Sequence, residues 1–288
     1  MQNKLLRKIF ILSLSMLIIL TIYTIPTLSN NNVLRTNLEI EDITSINTNS
    51  IYLLNKDKYL VQTDIFIDKK KIEEEARDII NYLTIDNNKI PSGLKGYLHK
   101  NIKVLKINRN NDLLEIDFNK YLSEDEKTIT GVVNSLLEIK GINKIKITKE
   151  GKSLSNYNFI LDKNIGINND YSYTTRRDLK KIVVYYLDKI NDEYYYVPVT
   201  KYIDKSESSI EVIINELKNN KELISVVNSK LELINFHEEE NVLYLNFNEY
   251  LENDLDIDEI SKSIFASIDI NMISFEVNNK KITYRKRD

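Results

Sequence analysis

From residue 51 onward, apolar and polar positions follow two periods, and each period marks a kind of element. Residues 51–55 and 59–67 are runs rich in Ile, Val, Tyr and Phe, split by Lys56-Asp57-Lys58, and they predict two strands joined by a tight polar turn. Ile72, Ala76, Ile79, Ile80 and Leu83 then recur at steps of three and four, the spacing of a helix that lays one apolar stripe on a flat partner. Pro91, Gly93 and Gly96 place a loop at 87–96. Residues 102–107 and 113–118 predict a second strand pair about the turn Arg109-Asn110-Asn111-Asp112. The alternation of Leu114, Ile116 and Phe118 gives this pair one buried and one wet face. Ser123-Glu124-Asp125-Glu126 has the spacing of a capping box led by Ser123. A second amphipathic helix follows through Ile129, Val132, Val133, Leu136 and Leu137, and residues 144–149 make a last strand.

The whole order then returns. Residues 182–187 and 194–203 predict a strand pair, Ile210, Ile213, Ile214 and Leu217 a helix, and 231–236 with 242–247 another pair. Asp256-Ile257-Asp258-Glu259 starts a helix continued by Ile260, Ile264 and Ile268, and 273–277 closes the series. Side chains repeat too: Leu114-Glu115-Ile116-Asp117-Phe118 reappears as Leu243-Tyr244-Leu245-Asn246-Phe247, an offset of 129 residues from Ile116 to Leu245 that becomes 128 from Ile142 to Ile270. Solenoid repeats run to roughly 20–50 residues, so each copy is expected to be a domain with its own core, at 51–155 and 181–288, with a linker at 156–180. The expected class is α+β: two similar domains, each a mixed or antiparallel sheet with two amphipathic helices packed on one face. In both copies the alternation slips at the same place, Val104-Leu105 and Leu233-Ile234, which predicts a bulge or a locally double-sided strand.

Composition narrows the function more than the fold. A net charge of −3, from 40 Lys+Arg against 43 Asp+Glu, gives no long-range pull toward nucleic acid. The absence of cysteine removes disulfides, thiolate metal sites, a cysteine nucleophile and a lipidated N-terminal cysteine. Lys4, Arg7 and Lys8 precede an uncharged run that begins at Ile9 and ends at Ile25, long for the roughly 7–15 residues of a signal-peptide core and near the lower limit of about 17 for a spanning helix. Residues 1–30 are therefore expected to be a single-pass membrane anchor, N-terminus inside and both copies outside, with cleavage after Ser29 as the alternative. Residues 31–50 read as a polar tether.

Val184-Tyr185-Tyr186 and Tyr196-Val197-Pro198-Val199-Thr200-Lys201, followed by a helix, Leu231-Glu232-Leu233-Ile234 and Val242-Leu243-Tyr244-Leu245-Asn246-Phe247, resemble the GerMN domain of bacterial sporulation and spore germination proteins. Pro91-Ser92-Gly93-Leu94 and Ile116-Asp117-Phe118 carry the same resemblance in the first copy. The resemblance implies a non-enzymatic assembly or scaffold protein at the cell envelope. It would act by contact with envelope or sporulation-complex proteins and be similar to the ring-building motifs of sporulation and secretion machines. Three features depart from the family: a lipidated cysteine is missing, Asn219-Asn220 stands where Gly-Pro is usual, and Asn228-Ser229-Lys230 replaces Pro-x-Gly-Thr.

Chemistry-bearing residues are sparse. His237-Glu238-Glu239-Glu240 has no second histidine nearby in sequence and reads as a polar turn, and His99 as a surface or half-buried residue. Asp117 aligns with Asn246, which argues against a carboxylate mechanism shared by both copies. No phosphate loop, nucleophile elbow or HExxH spacing occurs, so no catalytic, metal or cofactor residue is expected. Tyr185, Tyr194, Tyr195 and Tyr196 are the candidate partner or ligand surface, set against the plain preference of tyrosine for strands. Through them, the alternative function is recognition of a cell-wall ligand. Lys280-Lys281 and Arg285-Lys286-Arg287 read as a solvated tail.

Overall fold

The computed structural model describes residues 48–286 except 68–70, 86, 170–177, 221, 252 and 279. The expected anchor and most of the tether lie outside the described residues. Among the described residues, no helix is long and apolar enough to cross a membrane. The class is α+β, and the same series of elements runs twice in tandem.

The first copy opens with a hairpin of β1 (Thr48–Leu54) and β2 (Leu60–Phe66), then α1 (Ile72–Tyr82). A second antiparallel pair, β3 (Val104–Asn110) and β4 (Leu113–Phe118), leads to α2 (Glu126–Leu137). Strand β5 (Lys144–Lys149) runs parallel to β4, Leu113 facing Lys144, and the short β6 (Lys152–Ser153) and β7 (Leu161–Asp162) both pair with β5. The second copy repeats the order. Its hairpin is β8 (Lys180–Ile190) and β9 (Glu193–Ile203), followed by α3 (Ser209–Asn219). Strands β10 (Leu233–Glu239) and β11 (Val242–Phe247), helix α4 (Asp254–Ser267), a parallel β12 (Met272–Val277) and β13 (Lys280–Arg285) complete it. The bulge expected from the slipped alternation is present in both copies, between Val104 and Lys106 and between Leu233 and Asn235.

The sheets depart from one sheet per copy. Each copy has a mixed sheet of its own, β3-β4-β5-β6 or β10-β11-β12-β13, while the two hairpins join into a single antiparallel sheet ordered β1-β2-β9-β8. Inner strand meets inner strand, Gln62 opposite Tyr196, so the sheet reads the same from either edge. The apolar interiors follow suit. Ile51, Val61 and Ile129 of the first copy and Val184, Val197 and Ile260 of the second belong to one continuous buried cluster. Strand pairing across more than a hundred residues leaves no local signature, because period-2 patterning fixes which face is buried and not which edge is paired.

Other local differences have local causes. The cap of α2 is Asp125, which accepts from the Thr128 N–H at 2.9 Å, while Ser123 only donates to Asp125. Helix α4 starts at Asp254 under Asn253, which accepts from the N–H groups of Leu255 and Asp256, so Asp256 and Glu259 lie inside the helix and buried. Helix α2 is no one-striped helix: it touches both β1 and β5, and Thr128 to Val133 are all buried. The turns before β4 and β11 take only two residues, with Asn111 at φ 55° in the first and Glu240 and Asn241 at 49° and 65° in the second, and the ladders run further than expected. The basic C-terminal stretch is no loose tail. Lys280–Arg285 pairs along β12, Phe275 facing Ile282.

Candidate functional site

A serine on each copy's second helix closes the outer edge of the shared sheet. Ser135 accepts the Tyr52 N–H at 3.0 Å and donates to the Gly131 carbonyl at 2.7 Å. At the equivalent place Ser263 accepts the Tyr185 N–H at 2.9 Å and donates to the Glu259 carbonyl, and Ser267 accepts the Val183 N–H. Both edge strands are thus paired to helices, which removes two open edges from aggregation and from strand addition.

The seam between the copies is polar at its ends. Asn168, at φ 51°, donates to the carbonyls of Leu60 at 2.7 Å and Pro198 at 2.8 Å and accepts the Leu60 N–H at 2.8 Å, so one side chain ties β2 to β9. Residues expected to be linker are therefore part of the fold, and β6 and β7 fill the place that β13 takes in the second copy. At the other end, Asn55 donates to Asp188 and Asn191 to the Ser92 carbonyl.

Over this seam opens a groove of about 770 Å³, and all four candidate tyrosines line it. Tyr185 and Tyr196 meet edge to face with centroids 6.1 Å apart, and the Lys262 ammonium lies 4.5 Å from the Tyr196 ring and 5.6 Å from that of Tyr185. The Tyr196 hydroxyl donates to Asp258. Tyr185 lies beside its repeat counterpart Tyr52, whose hydroxyl donates to Glu138 at 2.9 Å. Burial, then the Glu138 charge, raises the Tyr185 phenol, and burial likewise raises Tyr52 and Tyr196. Burial also raises the Glu138 carboxyl, against the Tyr52 hydrogen bond. These phenols stay protonated at neutral pH and serve as donors, not as bases. Tyr194 stands at the mouth, 48% exposed. The sequence singled out the tyrosines; the first-copy wall of Gln62, Asp64 and Glu138 carried no signal, since its position depends on how the copies join.

Elsewhere the candidate chemistry resolves into structure. His237 lies within β10, not in a turn, and stacks on Tyr244 at 4.7 Å, while exposed His99 stacks on Tyr121 at 4.7 Å. Asp117 accepts from Thr148 at 2.7 Å and from the Gly151 N–H at 2.9 Å, a polar tie on the mixed sheet. Among the described residues, no three acids or histidines gather as metal ligands would.

The family model described as "Germane: Sporulation and spore germination" matches residues 50–155 and again 183–283. The spore germination protein GerM of Bacillus subtilis is 30% identical over 189 residues, covering 58% of this chain and 50% of that protein, so the chain spans half the length of that relative. The solved tandem GerMN domains of the same species' sporulation protein GerM superpose with a TM-score of 0.71 at 25% identity, covering 81% of this chain and 92% of theirs.

Proposed function

The chain belongs to the sporulation and spore germination family of Germane domains, and from that premise we propose that it is an envelope assembly protein acting by contact with other proteins rather than by catalysis. One observation carries the contact reading. At the equivalent bulge in each copy, the edge strand turns an aliphatic side chain to water: Leu105 is 52% exposed and Ile234 is 60% exposed. Strands β3 and β10 are terminal in their mixed sheets, so each also offers backbone groups beside that side chain, although in the first copy Arg77 already donates to the Val104 carbonyl at 3.3 Å. An apolar residue at a bulged open edge, present twice, suits a protein partner that pairs with a strand edge.

In this reading the uncharged run from Ile9 to Ile25 anchors the chain, with both copies outside the cytoplasm and envelope or sporulation-complex proteins as partners, in a ring-type assembly. The test uses the full chain in a spore-forming host with a photo-crosslinker at Leu105 or Ile234, and at Lys218 as control. Adducts confined to the first two positions during sporulation, with membrane recovery lost on deletion of residues 9–25, are the expected outcome. An absence of adducts at both edges, with spore yield and germination unchanged by Leu105→Glu plus Ile234→Glu, would refute the role.

A further inference from the structure

The groove over the seam is a built cavity that the contact role does not use. Its walls come from both copies: Gln62, Asp64 and Glu138 from the first, and Asp258, Ser261 and Lys262, with the tyrosines, from the second. A volume of about 770 Å³ falls inside the roughly 300–1,000 Å³ of small-molecule sites. Two wall groups lack partners. Ser261 is 2% exposed and its hydroxyl makes no hydrogen bond among the described residues, and the Gln62 Oε1 is likewise buried and unpaired while its Nε2 donates to Ser50. A buried polar atom without a partner costs free energy, and native proteins seldom leave one without a bound water or ligand to use it.

Three properties define the occupant. Charge around the groove is balanced, Asp64, Glu138 and Asp258 against Lys262, Arg285 and Lys286, which favours a neutral ligand over a phosphate-rich or acidic polymer. Acceptors and donors sit side by side, so groups that both donate and accept, such as hydroxyls, satisfy them together. The exposed Tyr194 ring at the mouth offers an apolar face of the kind that lies against a sugar ring, while Lys262 lies over the rings of Tyr185 and Tyr196. A peptide strand would need an open ladder, and the edges of β1 and β8 are closed by Ser135, Ser263 and Ser267. We propose that this groove binds a neutral, hydroxyl-rich oligosaccharide, contacted by Tyr194 at the mouth and by Gln62, Ser261 and Glu138 on the walls.

The test titrates the purified full chain with chitotetraose and cellotetraose as neutral probes, and with tetragalacturonate and tetraalanine as acidic and peptide probes, by calorimetry and saturation-transfer NMR. Saturable binding of a neutral probe is expected. It should weaken about fivefold to tenfold in Tyr194→Ala, the size of one aromatic contact, and weaken also in Gln62→Leu, with the melting midpoint of Tyr194→Ala unchanged. No saturable binding of either neutral probe, tighter binding of the acidic or peptide probe, or neutral-probe binding untouched by both substitutions would each overturn the proposal. Because the crosslinking positions lie on β3 and β10, failure here leaves the assembly role standing, and the reverse holds.

Discussion

Glu259 shows how one residue records the divergence of the two copies. Its counterpart at the repeat offset is Gly131, where an added Cβ would run into the Tyr97 hydroxyl, so the first copy fills with an aromatic ring the space that the second fills with a carboxyl. Glu259 is fully buried and accepts from the Ser225 hydroxyl and the Val226 N–H, both at 3.1 Å, yet burial still pushes its carboxyl up to about 8. The folded chain therefore holds a proton that the unfolded chain releases near the ordinary glutamate value, and stability falls as pH rises between those two values. The melting midpoint should drop from about pH 5 to about pH 8. Glu259→Gln should flatten that drop and be the more stable protein at the upper end, as scanning calorimetry across the range would show; an unaltered slope would count against the burial argument. Asn168 makes a sharper case. Asn168→Ala leaves the Leu60 N–H and two carbonyls at the seam without their partner, and chemical denaturation should read a loss of about 2–3 kcal/mol. Gly93, at φ 93° with Ile190 of the other copy against its α-carbon, tolerates no side chain, so Gly93→Ala should destabilise through both strain and overlap.

At the scale of elements, the edge serines matter more than any cap. Ser263→Ala removes the acceptor of the Tyr185 N–H at a closed sheet edge and should cost about 1–3 kcal/mol, whereas Asp125→Ala, which loses one helix cap, should cost about 1 kcal/mol. Urea unfolding of the two variants side by side would check the order. The elements themselves were largely legible in the sequence, and for a physical reason: Leu114, Ile116 and Phe118 alternate because one face of β4 is dry, and Ile72 to Leu83 recur at helical spacing because α1 is buried on one side. The bulges were legible because an added residue breaks period two. What was missed falls into two kinds. Strand β13 hid behind its lysines, since its side chains other than Tyr284 are exposed and the pattern carries no burial. Serines 135, 263 and 267 hid inside helices, where nothing in the local sequence marks a hydroxyl that serves a strand elsewhere.

For the whole molecule, duplication has produced something closer to a symmetric dimer than to two beads. The sheet order β1-β2-β9-β8 joins like surface to like surface, the arrangement of an isologous interface, made permanent by the connecting chain. Tyr52 meeting Tyr185 is the same residue position meeting itself across that axis. The sequence announced the two copies through the 129-residue offset but could not announce their union. Gln62 and Tyr196 face each other with no repeat of spacing, charge or volume to point one at the other. The candidate tyrosines were found by composition, and the groove they line exists only because the copies are fused. The shared sheet and the continuous core should make the copies one cooperative body through this seam. Equilibrium urea unfolding of the full chain and of Asn168→Ala, followed at once by far-UV circular dichroism and by NMR signals assigned to each copy, tests it most directly. Coincident single transitions for both copies, shifted together by the substitution, are predicted; two separate transitions, with Asn168→Ala moving neither or only one, would contradict it.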